Sequence, residues 1–96
     1  MIEVQVTDEF TAWFEGLKDA RAVHAITARL TRFSYGLMGD VRPIGEGISE
    51  ARVHYGPGFR IYFVRRGDML IVVLCGGDKR TQDRDIEKAK ALASGL

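Results

Sequence analysis

Apolar and polar residues alternate with a period of two at the start of the chain, in Ile2-Glu3-Val4-Gln5-Val6, which predicts a half-buried strand. The period then lengthens. Phe10, Trp13, Phe14 and Leu17 recur at helical spacing and make one apolar face. Thr7 or Asp8 is placed to cap that helix, and the acids Asp8 and Glu9 suit the positive end of its dipole. Gly16 and Asp19 mark a break. A second helix is predicted over residues 20–33, with Val23, Ile26, Leu30 and Phe33 turned inward. Residues 35–40 form a loop that Gly36 and Gly39 make possible.

After Pro43 the period returns to two. Residues 48–55 read as a strand, Gly56-Pro57-Gly58 as a turn, and residues 59–65 as the returning strand of a hairpin. Gly67-Asp68 is a second tight turn of a kind that favours positive φ. Residues 69–75 are almost continuously apolar and are expected to form a central strand covered on both faces, ended by Gly76-Gly77. Thr81 is placed to cap a last helix whose Ile86, Ala89 and Ala93 make a short apolar stripe. The order β-α-α-β-β-β-α predicts an α+β fold in one domain, 1–96. Its core is a small, curved antiparallel sheet carrying two N-terminal helices and a C-terminal helix.

A chain of 96 residues with 46% hydrophobic and 28% charged residues suits a single globular domain with one modest core. Cys75 is the sole cysteine, so no internal disulfide forms and a reducing compartment is expected. No stretch approaches the ~20 apolar residues of a membrane span. Met1-Ile2-Glu3-Val4 carries an early acid and lacks a long apolar core, so no signal peptide is expected and the cytoplasm is the expected location. The net charge of +1 predicts no polyanionic partner by itself. Its distribution says more: residues 1–41 hold four Lys/Arg against six Asp/Glu, whereas residues 42–84 hold eight against five. That basic second half suits a polyanion.

Several local features coincide: Thr7–Phe10–Trp13–Leu17, the loop Gly36…Gly39-Asp40, and Gly47-Ile48-Ser49-Glu50-Ala51-Arg52. They continue through Tyr55-Gly56-Pro57-Gly58-Phe59-Arg60-Ile61-Tyr62-Phe63 and Gly76-Gly77-Asp78-Lys79-Arg80-Thr81-Gln82-Asp83-Arg84-Asp85-Ile86. Together they resemble the HigB-like branch of the RelE/ParE toxins, known as addiction-module killer proteins, and the resemblance covers essentially the whole chain. It implies a RelE-like fold with a small antiparallel sheet, two N-terminal helices and a C-terminal helix. It also implies one of two activities: ribosome-dependent cleavage of mRNA, as in better-understood members, or poisoning of DNA gyrase, as in the ParE branch. A cognate antitoxin, commonly a HigA-like helix-turn-helix protein in this branch, is the implied partner beside mRNA and the ribosome.

RNA cleavage without a metal needs a base for the 2′-hydroxyl, an acid for the leaving 5′-oxygen and cations for the phosphorane. Arginine suits the last task because it stays charged and grips phosphate with parallel donors. Arg60 neighbours Phe59, whose ring should face the core, so Arg60 is expected to face outward, with Tyr62 and Arg52 on the same face. Lys79 and Arg80 follow the apolar strand, in a loop free to meet a ligand. The candidates are therefore Arg60, Lys79, Tyr62 and His54 for catalysis, and Arg52 and Arg80 for RNA binding.

Each has a plainer alternative. Arg60 and Arg52 could pair with Glu50 across the sheet, Tyr62 could simply cover it, and Lys79 and Arg80 could be charges leading into a helix. Gln82 and Asp85 fit an organising role at that helix start, and Tyr55 and Pro57 shape the turn. His54 titrates near ~6.5 when unperturbed, which suits a base, yet a lone strand histidine is usually solvated or structural. Beyond Arg80 there is no tyrosine or histidine of the kind some ribonuclease members carry near their C-terminus. Cys75 reads as a packed thiol. Two histidines and one cysteine have no metal-ligand spacing, and no cofactor is implied. Three readings stay open: mRNA endoribonuclease, gyrase poison, or an inactive homologue that acts only in an antitoxin complex and in repression of its operon.

Overall fold

The structure, a computed structural model, describes every residue from Met1 to Leu96. Its elements are β1 (Glu3–Val6), α1 (Asp8–Glu15), α2 (Ala20–Ser34), β2 (Val41–Gly45), β3 (Ile48–Val53), β4 (Phe59–Arg66), β5 (Leu70–Asp78) and α3 (Gln82–Ser94). A single 3-10 turn, Lys79–Thr81, joins β5 to α3. The fold is α+β, as the pattern predicts. No helix is long and apolar enough to cross a membrane.

The helices start where short polar side chains satisfy free backbone N–H groups. Thr7 accepts from the Phe10 N–H, and Asp19 accepts from those of Arg21 and Ala22. Thr7 also donates its hydroxyl to the Leu74 carbonyl at 2.5 Å, which fastens the start of α1 to the sheet. At α3 the expected cap is displaced. Thr81 makes no capping bond to that helix and donates instead to Asp85, while Asp78 caps the 3-10 turn by accepting from the Arg80 N–H.

Five strands run in the order β1-β5-β4-β3-β2. Neighbours are antiparallel except β1, which lies parallel to β5, so the sheet is mixed at that edge. The other edge, β2, is an added strand whose short, Pro-interrupted sequence carries little strand signal. It exists because Val41, Arg42 and Pro43 find partners in Ala51, Glu50 and Ser49 of β3. β4 occupies the centre, and β5 lies beside it with both faces covered.

Two apolar layers result. Phe10, Ile26 and Phe33 of α1 and α2 pack on Ala51, Ile61, Phe63, Ile71 and Val73. On the opposite face Ala89 of α3, with Ile86 and Ala93 beside it, packs on Ile48, Tyr62, Val64, Val72 and Leu74. A bulge between Tyr62 and Phe63 shifts the β4–β5 register, so that Leu74 and Cys75 both lie on the α3 side. Burial pushes the Cys75 thiol up to about 12, and it is a packing residue as expected.

Gly76-Gly77 does not end β5, which runs on to Asp78. The two glycines are there because both faces are crowded. A Cβ on Gly76 would stand 2.4 Å from the Trp13 ring, and one on Gly77 would stand 1.8 Å from the Asp85 carboxylate. Their lack of side chains lets α1 and α3 close on the strand from either side.

Candidate functional site

The site is built on the β3–β4 hairpin, where Arg52 pairs with Arg60 and Glu50 with Tyr62. Residues two apart share a face, so these four side chains lie together, as the alternation predicts. The expectation that this face is open is overturned at its inner end. α3 lies over it, and Tyr62 and Glu50 are wholly buried, with the Arg60 side chain only 9% exposed.

Glu50 is the hub. One carboxylate oxygen accepts from Arg42 Nε at 3.2 Å and Arg52 Nε at 3.3 Å. The other accepts from Gln82 at 2.8 Å and the Tyr62 hydroxyl at 3.2 Å, and lies 3.6 Å from Arg60 Nε. Burial pushes the Glu50 carboxyl up, but the hydrogen bonds from Gln82, Arg52 and Tyr62 outweigh it and hold the group below its ordinary value. The plainer alternative for Arg52, pairing with Glu50, is what the structure shows.

Tyr62 is corrected by the same geometry. Burial first, and then the charge and hydrogen bond of Glu50, push its phenol far above the ordinary tyrosine range. A fully buried hydroxyl that donates to a carboxylate reaches no ligand, so Tyr62 takes no part in proton transfer or base stacking. Tyr62→Phe is expected to cost about 1.5 kcal/mol in urea unfolding, the worth of one hydrogen bond to a charged group. Any RNA-directed activity should change less than about threefold, whereas loss of a proton donor would cost on the order of 100-fold.

At the hairpin's turn end the face opens. An open cleft of about 320 Å³ lies between the Gly56-Pro57-Gly58 turn and the 3-10 turn, and Arg52, His54, Arg60 and Lys79 line it. Arg60 donates to the Gly58 carbonyl at 3.1 Å, and its buried Nε has no hydrogen-bond partner. Gly58 has φ +80°, and a Cβ there would stand 3.6 Å from the Arg60 guanidinium and 3.9 Å from Lys79 Cβ, so both cations flank it. Lys79 is exposed and makes no ion pair.

Arg80 is not brought to this cleft. Its guanidinium turns back on Asp78 at 2.9 Å, with the side chain 81% exposed. The chain reverses direction through the 3-10 turn, and Asp78 captures the nearest cation. Lys79 thus faces the cleft and Arg80 leaves it.

His54 stands exposed on the rim and shares a 2.5 Å hydrogen bond with the Asp40 carboxylate through Nε2. That bond holds the Asp40 carboxyl below its ordinary range, against the opposing effect of burial. Asp40 arrives from the loop before β2 because its carbonyl accepts from the Arg52 N–H at 2.9 Å. In the sequence Asp40 stands only in a glycine loop. The bond that carries it to His54 spans the gap between loop and strand, and no local pattern marks it. The sequence pattern marks Glu50 only as a pairing partner for the strand arginines, and Gln82 only as an organiser of the helix start. Asp85 does serve there, accepting from the Thr81 hydroxyl.

Chemically, the cleft offers a partly desolvated guanidinium whose Nε is turned to Glu50, an unpaired ammonium, a second arginine at its edge and an imidazole oriented by a carboxylate. That set suits a phosphate or other oxyanion with a transferable proton beside it. No three of the His, Cys, Asp and Glu side chains are placed to share a metal ion.

The chain is 42% identical over 95 residues to an uncharacterized protein of Haemophilus influenzae (strain Rd), an alignment that covers 99% of this chain and 96% of the other. No family model and no solved structure matches it.

Proposed function

The chain belongs to one family with the Haemophilus influenzae protein, and we propose that it is the toxin of a type II toxin–antitoxin pair, a ribosome-dependent mRNA endoribonuclease acting in the cytoplasm. One observation carries this reading. Arg60 and Lys79 flank the same cleft as the Asp40–His54 pair. A phosphate clamp and a proton acceptor are what cleavage at a 2′-hydroxyl requires. The resemblance of the chain to the HigB-like toxins supports the choice of RNA over other phosphodiesters.

In this mechanism His54 takes the proton of the 2′-hydroxyl, and Asp40 favours the imidazolium that results. The 2′-oxygen forms a bond to the adjacent phosphorus as the bond to the 5′-oxygen breaks. Arg60 and Lys79 stabilise the charge that gathers on the phosphoryl oxygens. The leaving oxygen takes its proton from water at the open mouth of the cleft. The products are a 2′,3′-cyclic phosphate and a 5′-hydroxyl. The ribosome presents the mRNA, and a helix-turn-helix antitoxin silences the toxin between uses.

The test is a cell-free translation reaction with mapped mRNA ends. Wild-type protein is expected to generate new 5′-hydroxyl ends. His54→Ala is expected to reduce them on the order of 100-fold, within the usual range for a lost general base. Halted translation over intact mRNA would sink the proposal. Gyrase-linked DNA breaks would instead select the ParE-like reading. Cells that grow normally after induction of the gene alone would select the inactive homologue.

A further inference from the structure

Glu50 stands at the join between the cleft and the core, and its presence there needs a reason. A carboxylate taken wholly out of water is costly even when paired, and an apolar residue under α3 serves stability at least as well. Yet this one is fully buried, and both of its oxygens are occupied by partners from four separate elements: β2, β3, β4 and α3. The three cations around it are all arginines, whose mutual repulsion it relieves.

We propose that Glu50 is the positioning residue of the cleft, a buried counter-charge that aims Arg60 and Arg52 at a bound phosphate. The inference rests on the reading of the cleft as a phosphodiester site. The distances separate two kinds of hold. Arg42 and Arg52 are hydrogen-bonded to Glu50, at 3.2 and 3.3 Å. Arg60 Nε, at 3.6 Å, is attracted by the charge without a hydrogen bond, and the head is fixed by the Gly58 carbonyl. Glu50 therefore orients Arg60 without consuming its donors. Gln82, the first residue of α3, donates to the same oxygen that faces Arg60 and locks the carboxylate in place. The position of α3 is thereby tied to the aim of the guanidinium. Glu50 itself touches no ligand and acts only through the arginines.

Glu50→Gln keeps the shape and removes the charge, and Gln82→Ala keeps the charge and removes the lock. Three readouts on the whole protein separate positioning from simple support. The first is the NMR signal of the Arg60 Nε–H group, assigned with Arg60→Lys. The second is the affinity for inorganic phosphate and for a short single-stranded RNA. The third is the cleavage rate in the translation reaction. For E50Q the Arg60 signal is expected to broaden beyond detection. RNA should bind at least as tightly, since a negative charge has left, while cleavage slows on the order of 10-fold or more because the guanidinium has lost its aim. Q82A should keep the signal at reduced intensity and slow cleavage about threefold by the same loss of aim.

A folded E50Q that retains both the Arg60 signal and the wild-type rate overturns the proposal. So does a parallel fall of binding and cleavage, which marks a merely structural role. If E50Q does not fold, Q82A decides, and an unchanged Arg60 signal and rate in it count against the proposal. If wild-type protein cuts no RNA, the nuclease reading fails separately. The Arg60 signal and phosphate affinity then judge Glu50, which stands if E50Q loses the signal and keeps the affinity, and falls if the signal persists.

Discussion

Gly77→Ala should unfold far below the wild type, with a melting temperature lowered by about 15 °C in a calorimetric scan, as the following costs add up. The added Cβ would stand 1.8 Å from the Asp85 Oδ2, 2.7 Å from its Cγ and 3.0 Å from the Thr81 hydroxyl. Asp85 is buried, anchored at its other end by α3, and cannot swing aside without giving up the Thr81 hydrogen bond. Overpacking of this kind costs about 1–3 kcal/mol, and a displaced buried carboxylate adds about 1–3 more. Each kcal/mol is worth about 4–8 °C in a domain of this size. Gly76→Ala, which drives a Cβ into the Trp13 ring at 2.4 Å, should behave in the same way through α1. Gly16→Ala is the control. Gly16 has φ −80°, and its added Cβ meets nothing closer than 3.4 Å, so its substitution should be neutral or slightly stabilising. If Gly77→Ala melts with the wild type, β5 and α3 are not packed as described.

On the proposed nuclease reading, Arg60→Ala should abolish most RNA cleavage while leaving the protein folded. Glu50 retains Arg42, Arg52, Tyr62 and Gln82, so its charge is not stranded when Arg60 is removed. The cleft, by comparison, is deprived of its most desolvated cation, and removing one preorganised donor to a developing oxyanion costs on the order of 10²–10³ in rate. Arg60→Lys should recover only part of this, because an ammonium cannot present two parallel donors. Salt supplies an independent measure. Removing one cation that neutralises a phosphate should reduce the slope of log affinity against log salt by about 0.7 for single-stranded RNA. That reduction is expected for both Arg60→Ala and Lys79→Ala. Equal cleavage by wild type and Arg60→Ala, both folded, would remove the cleft from the mechanism.

The residues that define the site differ in how much of their role was legible. The shared face of Arg52, Arg60 and Tyr62 follows from alternation along two strands joined by a short turn, and the observed pairing of Arg52 with Arg60 agrees. Lys79 reaches the cleft from the end of the apolar strand, as expected of a loop cation. Tyr62 and Arg80 lie away from the cleft for opposite reasons. Tyr62 has a polar tip on a polar-looking face, which α3 then covers. Arg80 differs from Lys79 by one position in a turn whose direction is set by the Asp78 cap.

What the sequence by itself determined are the quantities with a local period: which segments other than β2 are helix or strand, that a cap at Thr7 or Asp8 begins the first helix, and which side chains share a strand face. These depend on backbone geometry and on neighbours a few residues apart. The tertiary structure alone decided the parallel pairing of β1, the existence of β2, the burial of Glu50 and Tyr62, and the need for glycine at 76 and 77. Each depends on what a distant element lays across the sheet. Alternation tells which side chains lie together, but only the stacking of layers tells whether water or another helix meets them.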